Sequence, residues 1–94
     1  MPSRTPQPNR VFGQHLRALR REKELTQEQL AERADLGVNI VGRLERATIA
    51  PGLLSLLKLA AALDIPATKM LEVFTPEMVT KMKIVPPRTT KSRR

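Results

Sequence analysis

Asn39 and Arg43 stand four residues apart, with Val38 and Gly42 beside them and Arg46 three further on. At about 100° per residue all five share one arc of a helix. Their side chains suit the recognition of flat, hydrogen-bonding edges. Arginine grips guanine through two hydrogen bonds, asparagine grips adenine in the same way, and valine touches a thymine methyl. Ile40, Val41 and Leu44 fall on the opposite arc and form an apolar face that packs. The plainer alternative is a solvated helix face that happens to hold Asn39 and Arg43.

An arc of this kind reads bases only if a second helix holds it against the duplex. The preceding residues supply one with a complete start signal. Thr26 is a good N-cap, Gln29 at N3 completes a capping box, and Leu25 and Leu30 at N′ and N4 form a hydrophobic staple. A helix therefore begins at Gln27. Leu30 and Ala34 share its inner face, with the small Ala31 allowing close approach of a neighbour. Asp35 and Gly37 both tolerate a left-handed backbone, so the chain turns within three residues.

Composition favours a small binding module over an enzyme. The chain has 94 residues and a formal net charge of +8, which suits a polyanionic partner. Most of that excess lies in the flanks. Residues 11–74 carry nine basic and eight acidic side chains, whereas residues 84–94 carry four basic and no acidic ones. There is no cysteine for a disulfide or thiol nucleophile, and His15 is the one histidine, expected as a partly exposed helix residue. Neither a metal-ligand cluster nor a phosphate-binding loop of the GxxxxGK type is present, so no cofactor or metal is expected. No stretch reaches the roughly 18 apolar residues of a membrane helix.

The remaining elements are helical. A first helix is expected from Arg10 or Val11 to about Lys23, burying Phe12, Leu16 and Leu19. Pro51 and Gly52 precede a fourth helix with Leu53, Leu56, Leu57, Ala60 and Leu63 at core spacing. A fifth, from about Pro66 to Phe74, can bury Met70, Leu71 and Phe74. Thr75-Pro76-Glu77 starts a short sixth, and Pro86-Pro87 bars its continuation.

Residues 12–74 resemble the helix-turn-helix domain of the XRE family, the phage-repressor and Cro type. The stretches that carry the likeness are LRALR at 16–20, LTQEQLAERADL at 25–36, VGRLER at 41–46 and PGLLSLLKLAAALDI at 51–65. Three positions depart from the usual run: Asp35 and Ala47 replace glycines, and Gly37 replaces the serine or threonine that caps the recognition helix. The resemblance implies an all-α, five-helix repressor-like fold, here with the extra sixth helix. It places Val38, Asn39, Gly42 and Arg43 over bases. Gln27, Arg46, Thr48 and Arg17 become phosphate contacts, and Arg20 with Glu45 a partly buried structural ion pair.

The chain then divides into a disordered arm at 1–9, a DNA-binding domain at 10–74, an extra helix at 75–85 and a basic, mobile tail at 86–94. Phe74, Met78 and Met82 continue one apolar series and are expected at a homodimer interface, since uncovered apolar patches mark contact sites. The alternative is a sixth helix folded back on its own domain. The functional expectation is a sequence-specific, cytoplasmic transcription regulator, nucleoid-associated when bound. It would be a repressor that binds a palindromic operator in double-stranded DNA as a homodimer, with helix 37–46 in the major groove. Two alternatives stay open: a protein-interaction module on a degenerate helix-turn-helix, and an antitoxin-type autorepressor with a toxin partner.

Overall fold

Proline decides where the first helix begins. In the computed structural model, which describes residues 6–84, α1 spans Pro8–Glu22. It starts two residues before the expected Arg10, because Pro8 sits at the first helical position, where its fixed φ is already helical and its missing N–H is not needed. The rest of the arm at 1–9, and the tail at 86–94, lie outside the described residues apart from Pro6 and Gln7.

Five further helices follow: α2 (Gln27–Arg33), α3 (Val38–Glu45), α4 (Leu53–Leu63), α5 (Ala67–Met70) and α6 (Pro76–Met82). The capping box at α2 is formed as read. Thr26 Oγ1 accepts from the Gln29 N–H at 3.0 Å, and Gln29 Oε1 accepts from the Thr26 N–H at 2.8 Å. α3 packs on both α1 and α2, α4 packs on α2 and α5, and α1 also touches α5. Phe12, Leu16, Leu30, Val41, Leu44, Leu59, Leu63 and Met70 form the shared core. His15 is less exposed than expected. Its Nε2 donates to the Lys69 carbonyl at 2.7 Å and so ties α1 to α5.

Four helices end in the same way. Past α1, α2, α3 and α4 the residues Glu24, Asp35, Ala47 and Asp64 take positive φ of 58°, 54°, 65° and 57°. Each following N–H then reaches back to an otherwise orphaned carbonyl, as Leu36 does to Ala31 at 2.9 Å and Thr48 to Arg43 at 3.0 Å. Glycine is the usual occupant of this position, yet none of the four is glycine. Gly37 does not share the task expected of it: its φ of −61° and ψ of 146° are extended, and Asp35 alone makes the left-handed turn.

Two helices differ from expectation. In α4 the core face is Leu56, Leu59, Ala60 and Leu63, whereas Leu53 and Leu57 point to solvent at 73% and 47% exposure, as does Leu54. α5 is a single turn that stops at Met70, so Leu71 is exposed and only Phe74 returns to pack on the core. Thr75 must be extended ahead of Pro76 and caps α6, accepting from the Met78 N–H at 3.2 Å. The chain therefore has to leave the helical path before Thr75. No helix among the described residues is long and apolar enough to cross a membrane.

Candidate nucleic-acid interface

The exposed arc of α3 forms as its spacing dictates. Val38, Asn39, Arg43 and Arg46 are exposed, while Val41 and Leu44 are fully buried and Ile40 packs against the core. Gln27, at the start of α2, adjoins this arc and with it lines a shallow groove, whose one acid is Glu28. The arrangement offers a donor and acceptor pair on Asn39, a donor fork on Arg43 and a methyl surface on Val38, on a scaffold fixed from behind.

Gly42 departs from the expected arrangement, since it is buried rather than open to a ligand. A Cβ at this position would lie 3.1 Å from Arg46 Nη1 and 3.4 Å from Gln27 Oε1, so the glycine makes room for those two side chains to lie over α3. Both neighbours are the ends of flexible side chains and can swing aside. Alanine is favoured over glycine inside a helix by about 0.5–1 kcal/mol, so Gly42→Ala is expected to raise the melting temperature while displacing Arg46 and Gln27. A variant that melts below the parent would mean that those side chains are held too firmly to yield.

Behind the arc lies one carboxylate with four donors. The Glu45 side chain is 0% exposed. Arg20 grips it as a fork, with Nε donating to Oε2 at 2.6 Å and Nη2 to Oε1 at 3.0 Å. The remaining Arg20 Nη1 donates to the Leu25 carbonyl at 2.8 Å, which fixes the loop before α2. Gln27 Nε2 and Arg17 Nε also donate to Oε1, at 3.0 and 3.3 Å. Burial pushes the Glu45 carboxyl up, but the hydrogen bonds from Arg20, Gln27 and Arg17 and the charge of Arg20 outweigh it and hold the group below its ordinary value. The hydrogen bonds to Glu45 likewise outweigh desolvation at Arg20 and hold that guanidinium protonated.

The expected ion pair is thus present, and more buried than partly. The links to Gln27 and Arg17 were not foreseen. One signal for them was available: Arg17 lies three residues before Arg20 and so shares its face of α1. Thr48, expected on phosphate, is exposed, and its donors are taken up by its own chain. Both its hydroxyl, at 3.1 Å, and its backbone N–H, at 3.0 Å, donate to the Arg43 carbonyl. Of the three residues expected at a dimer contact, Met82 is 5% exposed, Phe74 packs on the core and Met78 is half-buried.

The Helix-turn-helix family model matches residues 16–70, more than half of the chain. The chain belongs to the XRE-type helix-turn-helix family. This helix-turn-helix protein is 42% identical over 55 residues, or 58% of its length, to the immunity repressor protein of Bacillus phage phi105. That match takes in 38% of the phage protein, so the chain spans less than half the length of this curated relative. Among solved structures it is similar to the restriction-modification controller protein C.AhdI from Aeromonas hydrophila. There the identity is 44% and the TM-score 0.65, over 66% of this chain and 94% of that one. The hypothetical transcription factor NHTF from Neisseria is 28% identical with a TM-score of 0.67, covering 87% of this chain and 95% of its own. The clp gene regulator ClgR from C. glutamicum, at 24% identity and a TM-score of 0.67 over 85% of this chain and 99% of its own, shares the fold. The family is one of DNA-binding transcription regulators, and the all-helical architecture agrees with it.

Proposed function

We propose that this chain is a transcription repressor that reads a palindromic operator as a homodimer, with α3 in the major groove. The observation that carries the reading is the division of α3. Its inward residues are locked in the core, while Val38, Asn39 and Arg43 stand exposed together, with the cation Arg46 on the same groove. Asn39 and Arg43 carry the donors that adenine and guanine edges take, and Gln27 and Arg17 would meet the flanking phosphates.

Roles within the site separate by specificity. Arg43→Ala should relax the preference at one base pair of each half-site by about 1–3 kcal/mol, while Gln27→Ala should weaken all sequences alike. Selection of bound duplexes from a random pool, followed by titration of single-base variants, measures both. A uniform loss with Arg43→Ala would put Arg43 on phosphate and remove α3 from the groove as drawn.

For the partner copy, the apolar side chains that stand uncovered matter more than those the chain covers itself. Of the 11 residues of α4 only Ser55 and Lys58 are polar, and Leu53, Leu54, Leu57 and Ala61 form a continuous outward arc without charge. In a two-fold contact like meets like, so an uncharged apolar face accepts its own copy while a charged one repels it. The dimer therefore uses this α4 face, with Met78 of α6 as the alternative contact. Leu54→Asp, at a position 66% exposed, should dissociate the dimer without unfolding the monomer, and Met78→Asp should leave it intact. Sedimentation with and without operator measures this. The half-sites should be centred about 34 Å apart, one turn of DNA. A parent that stays monomeric on DNA at micromolar concentration would end the dimer reading.

A further inference from the structure

Glu45 holds more donors than its ion pair requires. Arg20 alone already provides a bidentate partner and neutralises the charge. The two further donors come from side chains of different helices, Arg17 on α1 and Gln27 at the start of α2, and both reach the same oxygen, Oε1. The carboxylate is fully buried, whereas the Arg17 side chain is 46% exposed, so Arg17 has one end anchored inside and the other in solvent.

The atoms engaged leave the outward atoms free. Arg17 uses Nε, and its Nη1 and Nη2 groups make no hydrogen bond among the described residues. That edge is the planar fork that fits two phosphate oxygens. Gln27 gives Glu45 a hydrogen bond from Nε2, which fixes the amide the right way round and leaves its second N–H for another acceptor. Its Oε1 faces the Gly42 and Arg46 side of α3. Arg20 balances the Glu45 charge, so the Arg17 charge remains available to an anion.

We propose that Glu45 is a positioning residue for DNA binding, which holds Arg17 and Gln27 ready for two backbone phosphates before the duplex arrives. This inference rests on the DNA-binding reading above. Its physical advantage is that long side chains ordered during folding no longer lose that freedom on binding. The recognition helix thus sets its own distance from the backbone through a carboxylate on its buried side.

The test combines a DNA-free and a DNA-bound measurement on the full chain. By NMR, the Arg17 Nε–H and the Gln27 side-chain amide should exchange slowly in the parent and clearly faster in Glu45→Gln, where a neutral amide oxygen replaces the carboxylate. Arg17 Nε–H exchanging as fast as a free arginine in the parent overturns the tether with no DNA present. In operator titrations Glu45→Gln should weaken binding about tenfold. Arg17→Ala with Gln27→Ala should cost about tenfold less in the Glu45→Gln background than in the parent. Effects that simply multiply overturn the proposal and leave Glu45 a structural role. If Glu45→Gln fails to fold, Arg17→Lys serves instead, because it keeps the charge but has neither the anchoring Nε–H nor the fork. It should bind about tenfold more weakly at an unchanged salt slope, and parent-like affinity overturns the proposal. Failure of the parent to bind any duplex while the slow exchange persists would indict the DNA-binding reading, and the proposal would fall with it.

Discussion

Gly13→Ala is expected to remove a large fraction of the stability of the fold. A Cβ on residue 13 would lie 2.5 Å from the Leu44 carbonyl oxygen and 2.7 Å from that of Glu45. These are backbone atoms in the last turn of α3, and no rotamer change can remove them. α1 and α3 would have to separate, loosening Phe12 and Leu16 of α1 from Leu44 and pulling Arg20 away from Glu45. Overpacking a core commonly costs about 1–3 kcal/mol, and a clash with helix backbone belongs at or above the top of that range. Domains of this size have about 5–15 kcal/mol in total, so a loss of about 3 kcal/mol or more is a large fraction. Gly52→Ala is the steric control, because nothing lies within 4 Å of a Cβ there, and as a change at the N-cap of α4 it should cost no more than about 1 kcal/mol. Urea midpoints compare the two. Equal midpoints for Gly13→Ala and the parent would mean that α1 and α3 do not meet this closely.

Glu45→Ala should also cost about 3 kcal/mol or more, for an electrostatic reason. It leaves the Arg20 guanidinium buried with only the Leu25 carbonyl as partner, and a stranded buried charge is far costlier than a lost surface pair. The pH dependence identifies the cause. The folded carboxyl is held below its ordinary value, so its contribution is fully present above the unfolded pKa of about 4.3 and is lost as pH falls through the lower folded value. The gap between parent and variant should therefore be wide at pH 7 and shrink progressively as the pH falls below about 4.3. A gap that stays constant over that range would show that Glu45 acts through packing and not through charge.

Local signals carried most of the fold. The Thr26 and Gln29 capping box, the Thr75 and Pro76 start and the two arcs of α3 depend on residues within one turn of each other, and each forms as its pattern requires. α4 is different because its sequence, LLSLLKLAAAL, is apolar nearly all round. Periodicity cannot orient a helix of that kind, so Leu53 and Leu57 sit at core spacing in the sequence and yet stand in solvent. The prolines at 2, 6 and 8 suggested an arm, yet Pro8 in its preferred first position extends α1 instead. Within the site, the exposed residues of α3 were legible from spacing, and the Arg20–Glu45 pair from family likeness. The convergence of Arg17 and Gln27 on one Glu45 oxygen joins three helices, and no local pattern encodes a contact across 18 or 28 residues.

The left-handed corners at Glu24, Asp35, Ala47 and Asp64 bear on how long each molecule survives. Asp35 and Asp64 tolerate that conformation, whereas at Glu24 and Ala47 it raises the energy of the native state by about 1 kcal/mol relative to glycine, and each such increment enlarges the unfolded population severalfold. Proteases that capture transiently open chains act in proportion to that population. Strain at Glu24 and Ala47 would therefore raise the susceptibility of the chain to proteolysis without touching its exposed α3 arc. Glycine at Ala47 would lower that susceptibility, and limited proteolysis of parent and Ala47→Gly measures the difference.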